Sequence, residues 1–225
     1  MNNVLYFIRT VGREQLTATL QSIAFSELPG DLFIVDNSDG TIFKSKLVQD
    51  MFKIMRNRGM KIFTEFCPRM NVGHLLWKGL NFAKINHYSY LFSADDDTCF
   101  PSDTPLQMFQ EMTENKTLNF VTGWEVNLSS QAGRNRSWIG KPGEVCDPAC
   151  SLIRMEFVNI RWKDFCKLID IDTGEWLWFS KFLEFRGRQM ENWKFYHIFR
   201  INDDGKKWSK LNTLWKHIWK EVRKG

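Results

Sequence analysis

A chain of 225 residues with 43% hydrophobic and 25% charged residues has the balance of a soluble globular protein, with length for one large α/β domain or two small ones. No run of about 18 apolar residues occurs, which excludes a transmembrane helix. The N-terminus lacks the basic and long apolar regions of a secretory leader, so the expected location is cytoplasmic. The net charge of +5 is concentrated at one end, since residues 205–225 hold seven Lys or Arg against Glu221.

The first predicted element is a strand over residues 3–9, where Val4 to Ile8 run without polar interruption, as in strands buried on both faces. Thr10-Val11-Gly12-Arg13 turns the chain. Leu16, Leu20, Ile23 and Ala24 then recur at helical spacing until Leu28-Pro29-Gly30 stops the helix. A second buried strand, Leu32 to Val35, ends at Asp36-Asn37-Ser38-Asp39-Gly40. Strand, helix and strand in so short a space form a βαβ unit and imply a parallel sheet. A third round comes next: a helix face of Leu47, Val48, Met51, Phe52 and Met55, then a strand from Lys61 to Phe66. After Asn71-Val72-Gly73, a helix carrying Leu75, Leu76, Leu80 and Ala83 leads to the strand Tyr88 to Ser93. The pattern is that of a doubly wound α/β fold with a mostly parallel, mixed sheet.

Beyond residue 97 the periodicity loosens. A helix is expected over 103–112, a strand over 118–126 and a long polar loop over 128–148. A short apolar element of open type covers 151–159, an aromatic helical stretch covers 174–186, and a strand covers 189–200. In the last 20 residues Leu211, Leu214, Trp215, Ile218, Trp219 and Val222 share one face of a basic amphipathic helix. The five cysteines form an odd, scattered set, which suits a reduced compartment. Cys146 and Cys150 are spaced for half of a zinc site but have no second pair.

The chemistry points to Asp95-Asp96-Asp97, three carboxylates at the end of a buried strand, the edge of an α/β sheet where ligands bind. If the backbone stays extended, Asp95 and Asp97 share a face and Asp96 points away. Convergent carboxylates repel unless a cation lies between them, which suggests a divalent metal. The alternative is an acidic turn leading into the helix that starts near Pro101-Ser102-Asp103.

The order of these motifs resembles the glycosyltransferase family 2-like proteins, which have a GT-A fold and bind a nucleotide-sugar through a metal. The likeness rests on Phe7-Ile8-Arg9-Thr10-Val11-Gly12-Arg13, on Val35-Asp36-Asn37-Ser38-Asp39-Gly40, on Asn71-Val72-Gly73, and on Asp95-Asp96-Asp97 with Pro101 after it. It covers residues 3–126 well and 150–200 more loosely. It implies one GT-A domain over 1–204, with a nucleotide-sugar half (1–126) and an acceptor half (127–204), and then the basic helix 205–225.

By this resemblance Mn²⁺ or Mg²⁺ is held by Asp97, with Asp95 facing the metal or the ribose and Asp96 part of the donor site. Thr10, Asp36 and Asn37 are placed to read the nucleobase and ribose, and Asn71 either touches the nucleotide or caps its helix. The expected donor is a UDP-sugar, transferred with inversion. The family's general base matches Glu175, with Asp172 as the fallback, and Lys181 stands where relatives have an arginine. His197 stands near a late histidine that serves some relatives as a further metal ligand.

For the acceptor, Arg134 and Arg136 beside Trp138, with the basic tail, suit a nucleic-acid backbone. The favoured acceptor is a hydroxymethylated pyrimidine in DNA of the phage type, which would place the protein in a host cytoplasm. Two alternatives stand beside it: a membrane-associated glycan or lipopolysaccharide, the tail contacting anionic lipid, and a non-catalytic nucleotide- or nucleic-acid-binding protein on the same fold.

Overall fold

The computed structural model describes residues 4–127, 146, 149–158, 175–197 and 220. The N-terminal part alternates strands and helices: β1 (Val4–Thr10), α1 (Leu16–Ala24), β2 (Asp31–Asp36), α2 (Lys46–Asn57), β3 (Ile62–Phe66), α3 (Val72–Ile85) and β4 (Tyr90–Asp95). The chain continues through β5 (Thr98–Cys99), α4 (Thr104–Glu114), β6 (Phe120–Asn127), β7 (Cys150–Arg154), α5 (Glu175–Phe182) and β8 (Gly187–His197). Among the described residues eight strands form one sheet in the order β3-β2-β1-β4-β7-β6-β8-β5. Strands β3, β2, β1 and β4 run parallel, β7 is antiparallel to both β4 and β6, and β8 lies parallel to β6 and antiparallel to β5.

The apolar run of β1 is read out on both sides of the sheet, because successive side chains of a strand point to opposite faces. Val4, Tyr6 and Ile8 join a core with Leu16, Leu20 and Ile23 of α1, Val48 and Phe52 of α2, and Met108 and Met112 of α4. Leu5 and Phe7 join a second core with Leu75, Leu76 and Leu80 of α3 and Phe179 of α5. Two helical layers thus cover the sheet, as expected for a doubly wound fold. Tyr6 is fully buried, and its hydroxyl is paired with Ser26 Oγ (2.8 Å) and the Leu28 carbonyl (2.7 Å).

Helix α3 approaches the sheet tightly at Gly79, where a Cβ would lie 2.5 Å from ring carbons of Phe7. That ring is fully buried and has nowhere to retreat. Gly79→Val is therefore expected to cost about 3 kcal/mol by overpacking, lowering the thermal midpoint by roughly 6–12 °C. A melt within about 2 °C of the parent would show that the interface gives way freely.

The open element over 151–159 is strand β7 with a short 3₁₀ turn after it at Met155–Phe157. Every residue of β7 is buried, including Arg154, whose guanidinium reaches the Met112 carbonyl at the end of α4 and packs over the ring of Tyr90. The predicted loop (128–148) falls outside the described residues except for Cys146, as does the basic helix 205–225 except for Lys220. No helix among the described residues is long and apolar enough to cross a membrane.

Candidate donor site

The site is built where β1, β2 and β4 end together. Parallel register sets Thr10 opposite Asp36 and Arg9 opposite Asp95, so three strands deliver polar residues to one edge. The turn after β1 is tight. Gly12 takes φ +80°, and a Cβ there would meet Ser38 Oγ at 2.7 Å, so both its backbone and its surroundings call for glycine.

The acid triplet is organised differently from the expectation. Asp96 does not point away: the chain leaves the strand at Asp95, residues 96–97 form a turn, and the two-residue alternation of an extended chain stops there. Asp96 is 3% exposed and faces the turn after β1. Its Oδ2 accepts from Thr10 Oγ1 (2.8 Å) and the Val11 amide (3.0 Å), and its Oδ1 from Arg13 Nη1 (2.9 Å). The same Arg13 nitrogen donates to Asp97 Oδ2 at 2.7 Å. Asp95 Oδ1 is paired with Arg9 Nη2 at 2.9 Å. Burial pushes the Asp96 carboxyl above the usual carboxylate range; Arg13 opposes that shift, and Asp97 adds to it.

Thr19 of α1 closes the turn from beneath. Its Oγ1 donates to the Asp95 carbonyl (3.2 Å) and accepts from the Thr98 amide (3.1 Å), bracketing Asp96 and Asp97. The next residues, Thr98–Cys99, form β5, where Thr98 pairs with His197. His197 also stands opposite Asn127 at the end of β6, so the backbone of the predicted late histidine comes up beside the acid turn.

Asp36 is fully buried. Its Oδ1 accepts from the Ser38 amide (2.8 Å) and hydroxyl (2.6 Å), whereas Oδ2 has no partner among the described residues. An orphaned buried acceptor costs about 1–3 kcal/mol, more when charged. Beside it, a Cβ on Gly40 would lie in ordinary contact, 3.8 Å from Asp36 Oδ2 and 3.9 Å from the ring of Phe66. Phe66 ends β3 opposite Asp36 in register, with 54% of its surface exposed.

The other predicted polar residues hold loops. Asn37 donates through Nδ2 to the Met70 carbonyl (2.9 Å) and accepts the Met70 amide (2.8 Å). Asn71 caps α3 by accepting the His74 amide at 2.9 Å. Asp39 closes its own turn on Thr41. Glu175 is the first residue of α5. Asp172, Arg134 and Arg136 lie outside the described residues.

Sequence reasoning gave no separate role to Arg9, Arg13, Thr19 or Phe66. Thr19 had a signal, as a polar residue among Leu16, Leu20 and Ile23 on a core-facing helical stripe. The arginines had one in charge balance, since three adjacent carboxylates need compensation.

The acid cluster suits a hard divalent cation, since the available donors are carboxylate oxygens without thiolate. Among the described residues no group of three His, Cys, Asp or Glu side chains forms a ready-made cage. Mg²⁺ commonly binds in this way, through one or two carboxylates completed by phosphate and water.

No protein-family model and no curated protein matches the chain. Solved structures do. TarS 1–349 of S. aureus is 13% identical with a TM-score of 0.62, over 86% of this chain and 60% of that one. The mannosyltransferase PcManGT of Pyrobaculum calidifontis, in complex with GDP-Man and Mn²⁺, is 13% identical with a TM-score of 0.68, over 99% of this chain and 65% of that one. A197 from STIV is 17% identical with a TM-score of 0.52, over 88% and 86%. The chain thus spans less than two thirds of the length of TarS 1–349 and PcManGT, and shares with them a GT-A fold.

Proposed function

On a GT-A fold with an acid turn at its ligand edge, we propose that the chain is a metal-dependent glycosyltransferase using a nucleoside-diphosphate sugar. The observation that carries this reading is the convergence of Thr10, Asp36 and Asp95–Asp97 on one edge, with a buried carboxylate oxygen of Asp36 lacking a donor among the described residues. Residues 1–204 form the transferase unit, with 1–126 holding the donor and 127–204 the acceptor, and 205–225 form a basic helix.

Asp97 and Asp95 hold Mn²⁺ or Mg²⁺, with His197 as a further ligand from β8. The metal, when bound, neutralises charge on the departing diphosphate as a Lewis acid. Asp36 receives the base: a carboxylate oxygen accepts, so it suits a base edge that presents an N–H, such as the ring N–H of uracil or guanine. Phe66 offers an aromatic face beside it. Thr10 and Asp96 fix the turn around the diphosphate, while Asn37 and Asn71 hold the loop that borders the base. Glu175, at the start of α5, is the base that takes the proton of the acceptor hydroxyl, with Asp172 as its alternate, in a single inverting displacement. The acceptor is a hydroxymethylated pyrimidine in DNA, a reading supported by the Arg134–Arg136 and 205–225 sequence.

The test is a panel of radiolabelled donors with Mn²⁺. Slow hydrolysis of a UDP- or GDP-sugar is expected. Adding duplex DNA that contains hydroxymethylcytosine should move label onto the DNA. Hydrolysis with no transfer to that duplex removes the acceptor assignment, and no hydrolysis of any donor removes the enzyme.

A further inference from the structure

We propose that Arg13 is a tethered cation that holds Asp96 and Asp97 together in the free protein and yields to the divalent metal only when a nucleoside diphosphate arrives. Metal and donor then bind as a coupled pair. The inference rests on the donor-site reading above.

Two carboxylates on consecutive residues converge on one atom, Arg13 Nη1, at 2.9 and 2.7 Å. The arginine therefore stands where a cation between these acids is expected. The burial of the three groups differs in a telling way. Asp96 and Asp97 side chains are 4% and 8% exposed, while that of Arg13 is 39% exposed. Arg13 is thus the most exposed of the three and belongs to neither core, so it can withdraw without disturbing them. Asp96 keeps two other donors when it does, Thr10 Oγ1 and the Val11 amide, so the turn does not collapse.

Charge decides the order of binding. Among the described residues, Arg9 and Arg13 already pair with the three carboxylates. A divalent ion arriving alone meets a guanidinium already seated on Asp97, one of its two carboxylate ligands, so like-charge repulsion weakens its binding. A diphosphate supplies an anion that both cations can share, and the repulsion turns into joint attraction. Coupling of this kind is reciprocal, so the metal must tighten the nucleotide by the same factor as the nucleotide tightens the metal. A cluster built in this way is not filled by free metal ions in the absence of donor.

The experiment is Mn²⁺ titration of the full chain, by calorimetry or electron paramagnetic resonance, without nucleotide and with UDP or GDP, for the parent, Arg13→Gln and Arg13→Lys. The Gln variant is expected to bind Mn²⁺ alone more tightly, on the order of 10-fold, and to lose a similar factor of metal–nucleotide coupling. The Lys variant retains the charge and should stay near the parent. Arg13→Gln binding Mn²⁺ alone no more tightly than the parent overturns the proposal while leaving the donor site standing. Should the Gln variant not fold, the parent still decides: Mn²⁺ affinity independent of nucleotide overturns the proposal. Absence of Mn²⁺ binding to every protein, with either nucleotide, overturns the donor site as well.

Discussion

Asp97→Asn is expected to lower donor hydrolysis by about 10²–10³-fold, the loss typical of removing one group aimed at developing charge. Asp97 is 5% exposed and sits at the end of a turn fixed by Thr19 and Arg13, so its carboxylate is held in place before any ligand arrives. The amide keeps the size and one acceptor oxygen but loses the charge that a metal requires. Arg13 can still donate to that oxygen, so the folded state should persist, which circular dichroism can verify. Mn²⁺ binding in the presence of UDP or GDP should fall together with activity. Hydrolysis within about tenfold of the parent would show that Asp97 does not hold the metal.

Asp36→Asn should separate binding from stability. Oδ1 already serves Ser38 through two hydrogen bonds, so the amide oxygen is drawn to that side and its NH₂ takes the place of the orphaned Oδ2. A base N–H then meets a donor instead of an acceptor. Sites that hydrogen-bond a ligand group lose about 10²-fold or more when the pairing is spoiled. UDP or GDP affinity, measured by calorimetry, should drop by at least that factor. The thermal midpoint of the nucleotide-free protein should stay near the parent's, because the Ser38 bonds are kept and one unpaired buried polar group replaces another. An affinity equal to the parent's would remove Asp36 from the base site.

The N-terminal half was legible because its signals are local. An uninterrupted apolar run, a 3.6-residue stripe and a Pro-Gly or Asp-Gly break each occupy a dozen residues, and they recur in the order that a parallel sheet demands. The ends of β1, β2 and β4 were therefore readable as one polar edge that carries Thr10, Asp36 and the acid triplet. The orientation within the triplet was not, because an extended backbone was assumed where Asp96 and Asp97 make a turn, and a turn obeys no side-chain period. Asn37 illustrates a second limit: its type and place suit a ligand, yet both ends of its amide engage Met70, 33 residues away. The C-terminal strands were harder for another reason. β7 carries a buried arginine that a hydropathy pattern counts as surface, and β5 is two residues long, below any periodicity. Their pairing depends on distant partners that no short window contains.

That distance has a consequence for the order in which the protein comes into being. The block β3-β2-β1-β4 with α1, α2 and α3 is complete once residue 95 has left the ribosome. Thr98 and Cys99, the two residues directly after the acids, find their sheet partners among the described residues in His197 and Tyr196, nearly a hundred residues later. Pairings of such separation form late, since a large loop must close before they return any stabilisation. A nascent chain can thus carry a folded parallel block for about a hundred residues of synthesis while one flank of its acid turn remains unfastened. That flank is fastened when β8 pairs with β5.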